Sequence, residues 1–342
     1  MTVAWPDTAR RGFLDTATVG LPPQAGLEAL RAHVAAWEDG RLDPTDVDVD
    51  VARSRAAFGR LVGVAAEDVA IASAVSSFAG LVAAALPRGA RVLVAEGDFT
   101  SILFPLLEQE RRGVEVRVVA LEQLIEAIDD RTDLVAVSAA QSADGRVINL
   151  DALATAAAHH GAEVLLDATQ AAGWMEIDGA RFSYVVAAAY KWLLCPRGTT
   201  FMAIRAEAAE RLLSHHAGWY SGADPWKSIY GTPLRLAPGA RRLDVSPAWV
   251  CWVGAAPALE LLADVGVAEI GARDVALANA LRSGLGLEPS DSAIVSVTSA
   301  DAGERLAASG VRAATRAGGA RLSFHLYNDE DDVELALAAL RG

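Results

Sequence analysis

The sequence is nearly without lysine. Of its 30 basic residues only Lys191 and Lys227 are lysines, and the other twenty-eight are arginines. It is as poor in cysteine. Cys195 and Cys251 are too few for a disulfide framework and lack zinc-site spacing, which excludes a disulfide-stapled secreted scaffold and fits a reducing, cytoplasmic setting. The opening residues MTVAWPDTARRGF lack the apolar core of a secretory signal, so export is not expected. Positive charge is short overall: 44 acidic against 30 basic side chains give a formal charge of −14, which argues against nucleic acid or an anionic membrane as partner. Small-molecule chemistry is favoured instead. One stretch, Val69–Pro87, lacks charge for nineteen residues and is long enough to cross a bilayer. Its serines at 73, 76 and 77 and its strand-like start VAI read instead as strand, turn and buried helix.

What is present is apolar. At 342 residues, 52% apolar and 22% charged, the chain can bury a large core and a smaller one, and disorder is not expected. From about Asp68 to Ile204, short β-rich runs alternate with helical patterns, the rhythm of a wound α/β sheet. VAI (69–71), RVLVA (91–95), VEVRVVA (114–120), DLVAVSA (133–139), EVLLDA (163–168), YVVAAA (184–189) and TTFMAIR (199–205) are the candidate strands. Most are continuous apolar runs, as in a parallel sheet covered on both faces. Residues 218–242, rich in Gly, Pro and aromatics, read as a long loop, and the acidic run LDPTDVDVD at 42–50 as a solvated connection. After Ser246 the pattern changes to two helices, two strands and a closing helix. The expected organisation is an N-terminal segment (1–50) packing on both domains, a large α/β domain (51–245) and a small C-terminal α+β domain (246–342).

The two lysines carry the chemical argument. Arginine keeps its proton in a protein, whereas a buried lysine can lose it, and only a neutral amine forms a Schiff base. Lys191, in AAAYKWLLCPRG, directly follows an apolar strand; Lys227, in DPWKSIYG, lies in a polar stretch. Asp167 closes EVLLDA, and a carboxylate buried at a strand end is costly unless it meets a cation or a protonated nitrogen. Ligands of such sheets gather at the carboxyl ends of strands, and Lys191 follows the next strand along. Ser76 and Ser77 open a helix after the first strand, where free N–H groups and the positive dipole end favour a phosphate. An anion site, a carboxylate and a neutralisable amine are what pyridoxal 5′-phosphate requires.

DATQAAG (167–173) followed by YKWLLCPRGT (190–199) resembles the class V aminotransferase group of pyridoxal-phosphate enzymes, which includes cysteine desulfurases, kynureninase and isopenicillin N epimerase. FLDTATVGLPP (13–23) is similar to that group's opening segment, RRLDVSPAW (241–249) to its domain junction and RAGGARLSFHLYN (316–328) to its C-terminal motif. The resemblance implies the α/β fold type I of pyridoxal-phosphate transferases, a mostly parallel wound sheet in a large domain with a smaller C-terminal α+β domain, and a homodimer. It implies that Lys191 holds the cofactor and shuttles the α-carbon proton, that Asp167 keeps the pyridine nitrogen protonated, and that Gln170 bonds the phenolic oxygen. Ala74, Val75 and Ser76 match the phosphate-binding turn and Tyr190 a phosphate ligand. Phe99, in EGDFTS, falls at the ring-stacking position, with an ordinary core phenylalanine as the competing account. Gln141 and Ser142 align loosely with a ring contact, and Ser246 falls near the residue lent to the neighbouring subunit's phosphate.

Arg316 falls where the substrate carboxylate binds, a surface charge being the alternative, and Arg321 is as readily structural. The aromatic cluster Trp219, Tyr220, Trp226 and Tyr230 reads either as pocket lining or as loop packing. The histidine pairs 159–160 and 215–216 lack metal-ligand spacing, and no metal is expected. Two departures stand out. No cysteine in the C-terminal third serves as a persulfide acceptor, and Ala187–Ala189 replace the Ser or Thr common just before the lysine, which removes a phosphate contact. The expected function is a transaminase acting on an α-amino acid or related amine through a Lys191 Schiff base. Elimination at the β-carbon, including carbon–sulfur cleavage, comes next, then racemisation or epimerisation, and last a non-catalytic binding protein of the same fold.

Overall fold

In the computed structural model, which describes Trp5 and residues 11–341, each apolar run becomes a strand. These are β1 (Val69–Ala72), β2 (Arg91–Ala95), β3 (Glu115–Val119), β4 (Leu134–Ser138), β5 (Glu163–Asp167), β6 (Tyr184–Ala188) and β7 (Thr200–Ile204). They form one sheet in the order β1-β7-β6-β5-β4-β2-β3. Neighbours from β3 to β6 are parallel, and β7 alone runs against both of its neighbours. Alternate residues serve two different cores: Val135 and Val137 pack on one face of β4, Leu134 and Ala136 on the other. Two buried faces are why these strands read as unbroken apolar runs.

The sheet's edges are managed differently. β3 leaves Glu115 and Arg117 exposed, and such charges discourage pairing with another chain. β1 is closed by residues 244–245. The Ile71 N–H donates to Asp244 at 2.9 Å, and the Val245 N–H donates to the Ile71 carbonyl at 3.0 Å. Asp244 is in turn paired with buried Arg55 at 2.7 Å.

Helices α1 (Gln24–Glu38) and α2 (Pro44–Val62) precede the sheet. The acidic run at 42–50 is therefore a helix start and not a solvated connection. Asp43 caps α2 by accepting from the Thr45 N–H at 2.9 Å, Pro44 occupies the first turn, and Val47 and Val51, one turn apart, enter the core. The boundary expected at 50/51 falls inside this helix. Helices α3 (Val75–Ala85), α4 (Thr100–Leu107), α5 (Leu150–His160) and α6 (Ala206–Arg211) connect or follow the strands. The uncharged stretch 69–87 is thus β1, a turn and α3. Among the described residues no single helix is long and apolar enough to cross a membrane.

α7 (Trp249–Val265) packs on α1 and α2 and gives Trp252, Leu259 and Leu262 to the large core, so the expected 245/246 boundary lies just ahead of a helix belonging to that core. α8 (Val267–Gly284) leads to β8 (Ile294–Val297), α9 (Ala302–Ala308), β9 (Ala314–Arg316), β10 (Gly319–Ser323) and α10 (Glu330–Arg341). The three late strands form an antiparallel sheet with β10 in the centre and a core of its own, which includes Leu281, Leu322 and Val333. Leu14 sits in that small core while Phe13 and Ala17 sit in the large one, so the N-terminal segment stitches the two together.

Candidate active site

The carboxyl ends of β1, β2, β4, β5 and β6 open on one edge of the large sheet, where they surround a cavity of about 230 Å³. Asp167, the last residue of β5, and Lys191, three residues past β6, both line it. Lys191 is only 5% exposed. Its loop turns tightly: the Leu194 N–H donates to the Lys191 carbonyl at 3.1 Å, and the Cys195 N–H to the Ala189 carbonyl at 3.0 Å. The N-terminal segment closes over this turn through the Gly20 N–H, which donates to the Tyr190 carbonyl at 2.9 Å. A Cβ at residue 20 would lie 2.1 Å from the Lys191 carbonyl oxygen, so the close approach requires glycine.

Burial sets the electrostatics. It lowers the Lys191 ammonium to about 8, opposed by the Asp167 carboxylate and reinforced by the guanidinium groups of Arg321, Arg316 and Arg197. It raises Asp167 to about 6, against the Thr169 hydrogen bonds that favour the carboxylate, while the nearby charge of Asp98 pushes further up. The Thr169 N–H donates to Asp167 Oδ1 at 2.9 Å, and the carboxyl lines the cavity. Lys227 is the opposite case: exposed and paired with Asp224 at 2.8 Å, it is held above its ordinary value, first by that hydrogen bond.

Phe99 is 45% exposed and lines the cavity with its ring centroid 5.4 Å from Lys191 Nζ, which removes the ordinary-core account of this residue. Asp98 fixes it in place, accepting from the Phe99 N–H at 2.7 Å and from the Ser138 N–H at 2.7 Å, so that the exits of β2 and β4 are joined. Tyr190 also lines the cavity, 5.8 Å from Nζ to the ring centroid. At the β1 exit the wall carries Ser73, Ala74 and Val75, whereas Ser76 sits exposed in the first turn of α3. Ala74 caps α3 without a side-chain bond, which leaves the first N–H groups open to an anion.

Gln170 lines the cavity with its amide fully engaged. Nε2 donates to the Ala17 carbonyl at 2.9 Å and to Ser142 Oγ at 3.1 Å, and Oε1 accepts from Trp192 Nε1 at 2.9 Å. Of the loosely aligned pair, Ser142 is on the wall. Gln141 lies behind it, its Nε2 3.3 Å from Asp98 Oδ2, because the turn after β4 directs the longer side chain inward. Ser246 is exposed and does not reach the cavity of this chain.

The structure separates the two C-terminal arginines. Arg316, at the end of β9, is exposed and donates to the Thr315 carbonyl at 2.8 Å. Arg321, in the middle of β10, is 1% exposed, donates to the carbonyl and hydroxyl of cavity-lining Ser142 and to Thr18 Oγ1, and has no partner at Nε. No described carboxylate is within ion-pair distance of it, and burial lowers it to about 10. A desolvated guanidinium held by neutral groups alone is a site for an anion. Its signal in the sequence was an arginine inside an otherwise apolar strand.

A second buried feature also went unread. The ring of His325, fully buried, lies with Nδ1 3.0 Å from Asp274 Oδ2 and Nε2 2.9 Å from the Trp192 carbonyl, and so ties the small-sheet unit to the residue after Lys191. The aromatic loop resolves as packing. Tyr220 and Trp226 both donate to the Asp48 carboxylate of α2, at 2.8 and 2.6 Å, and Tyr230 is 86% exposed.

The donor set fits pyridoxal phosphate residue by residue: an amine able to be neutral, a buried carboxyl lining the cavity, an open aromatic face and a helix start. Residues 50–302 match the family model described as aminotransferase class-V. The chain belongs to this family. Its cofactor is pyridoxal 5′-phosphate, and it is an enzyme. Within the class-V aminotransferases it is 28% identical over 308 residues to the uncharacterized aminotransferase YcbU of Bacillus subtilis, covering 83% of this chain and 81% of that one. It is 28% identical over 386 residues to a probable cysteine desulfurase of Pseudomonas aeruginosa, covering 96% and 92%. The solved structure of the cystine C-S lyase C-DES with its product cysteine persulfide superposes with a TM-score of 0.86 over 98% of this chain and 99% of that one, at 21% identity. That likeness establishes the shared fold type I architecture.

Proposed function

We propose that this class-V enzyme cleaves a carbon–sulfur bond at the β-carbon of an α-amino acid. The observation that carries the amino-acid substrate is Arg321, a buried cation with neutral partners that lies behind Ser142, a residue of the wall of the cavity that holds Lys191 and Asp167. It would receive the substrate carboxylate, with the exposed Arg316 adding positive charge that is felt at Lys191. Pyridoxal phosphate, when bound, supplies an electron-accepting ring next to the substrate's α-carbon. Asp167 would keep the proton on the ring nitrogen, Phe99 would pack against the ring, and the start of α3 with Tyr190 would hold the phosphate. Gln170 keeps the wall near the phenolic oxygen in place.

Lys191, neutral at little cost because burial brings it to about 8, takes the α-carbon proton. The carbon–sulfur bond then breaks with its electron pair leaving on sulfur. The unsaturated amino acid that results is hydrolysed to a keto acid and ammonia. Sulfur departs with the product and is not passed to the protein: burial pushes both thiols up, and neither Cys195 nor Cys251 lines the cavity. The probable cysteine desulfurase relative supports this reading over the transamination that the sequence put first, with β-elimination next. YcbU, named an aminotransferase, favours transamination as the second. We place the enzyme in the cytoplasm, in keeping with two free cysteines. We also read it as a homodimer in which Ser246, exposed in a single chain, reaches the partner's phosphate.

An amino-acid panel decides the reaction. Continuous release of ammonia and keto acid from a β-thio amino acid, with no keto acid added, is the expected result. A reaction that stops after one turnover and restarts on adding a keto acid would replace this reading with transamination. In the same assay Arg321→Ala lowers kcat/KM for a carboxylate-bearing substrate about 100-fold, mostly through KM, with the cofactor's visible band retained. Arg316→Ala has the smaller effect. The reverse order would move the carboxylate to Arg316.

A further inference from the structure

A bound phosphate monoester carries a charge of about −1.5 to −2 at neutral pH, and the phosphate end of this cavity is poor in charge to meet it. The start of α3 offers backbone N–H groups and the Ser73 hydroxyl, Tyr190 a phenol, and Ala188 nothing polar. Among the described residues that line the cavity only Lys191 and Arg197 are cationic, and Lys191 is committed to the aldehyde.

Sheet register places Arg197 at the phosphate end. Thr200 opens β7 opposite Ala72 of β1 on one side and Ala188 of β6 on the other. The loop three residues before it therefore crosses between the turn at 73–75 and Tyr190. That loop is fixed: the Thr199 hydroxyl donates to the Pro196 carbonyl at 2.8 Å, and the Cys251 thiol donates to the Arg197 carbonyl at 3.1 Å. Gly198 adopts a φ of +114°, where a Cβ would come within 3.0 Å of the Cys251 sulfur. The Arg197 guanidinium carbon lies over the Tyr190 ring, 5.3 Å from its centroid, and no described carboxylate pairs with it. This cation–π contact holds a planar fork of donors beside the phenol and leaves N–H groups free for an anion.

We propose that Arg197 is a phosphate ligand of the cofactor, its positive charge replacing the hydroxyl contact that Ala188 does not provide. The inference rests on the cofactor reading of the cavity, and the experiment separates the two. Cofactor-stripped protein is titrated with pyridoxal 5′-phosphate and, separately, with pyridoxal, which has the aldehyde and ring but no phosphate. Binding is read from absorbance and protein fluorescence, and the linkage site from borohydride trapping and mass spectrometry. Arg197→Gln is expected to weaken the phosphorylated form about 10- to 100-fold and to leave pyridoxal within about 2-fold of wild type. Arg197→Lys is expected to lose less, because the charge is retained. Equal affinity of wild type and Arg197→Gln for the phosphorylated form, with trapping at Lys191 intact, would overturn the role of Arg197 alone. So would equal losses for both forms, which would make Arg197 a pocket-shaping residue. Failure of wild type to trap at Lys191 would overturn the cavity reading and this proposal together.

Discussion

Lys191→Ala is expected to give a colourless protein whose turnover falls by at least about 10³-fold, because in the proposed mechanism one side chain both anchors the cofactor and moves the α-carbon proton. The wild-type band in the visible, at about 410–430 nm, is the readout. The effect has a pH signature. The group is held near 8, and only the neutral amine attacks an aldehyde, so the rate of cofactor capture by stripped protein should rise through pH 7–9 with its midpoint near 8. An ordinary lysine would place that midpoint near 10.4. Lys227 is the internal control: exposed and paired with Asp224, it stays an ammonium. A retained band in Lys191→Ala, or a borohydride tag on Lys227, would remove Lys191 from the chemistry.

Asp167→Asn should separate stability from function. In cofactor-free protein the carboxyl is raised from 3.8 to about 6. Below its unfolded value it is neutral in both states and burial costs no charge. As pH rises through the folded value it ionises in the core, and a rise from 3.8 to about 6 corresponds to about 3 kcal/mol lost. The asparagine variant cannot ionise, yet it keeps an oxygen for the Thr169 N–H. Stripped Asp167→Asn should therefore be more stable than stripped wild type by up to about 3 kcal/mol at pH 8, with the gain gone near pH 4. Urea unfolding at the two pH values measures this. Loaded with cofactor, the same variant should lose about 10²-fold or more in turnover, since an amide does not hold the ring nitrogen's proton. A variant less stable at both pH values would show that Asp167 serves the fold and not the cofactor.

Much of the sheet was legible because it is buried on both faces, so that β4, β5 and β6 spell themselves as apolar runs with little to compete. The Asp167–Lys191 pair was legible for a related reason: an acid and a rare lysine at the ends of such runs have few structural uses. What stayed hidden depends on chain segments that meet only in three dimensions. Val47 and Val51 are outnumbered by four aspartates, so the start of α2 looked like a solvated run, although the spacing of two valines one turn apart was present. Arg316 and Arg321 differ in burial by the hairpin turn between β9 and β10, which composition does not encode. Ser142 displaced Gln141 through the geometry of a single turn. Arg197 lay within the recognised lysine motif, but its place beside Tyr190 follows from the reversed direction of β7.

The contact of His325 with Asp274 and with the Trp192 carbonyl bears on motion. A fully buried linkage of this kind costs about 1–3 kcal/mol to break at each group left unpaired, which resists separate movement of the small-sheet unit and the backbone that carries the amine. In the proposed mechanism, tilting that unit by even an ångström would shift Lys191 relative to the α-carbon, and alignment for reaction would be coupled to substrate binding at Arg321 of β10, four residues before His325.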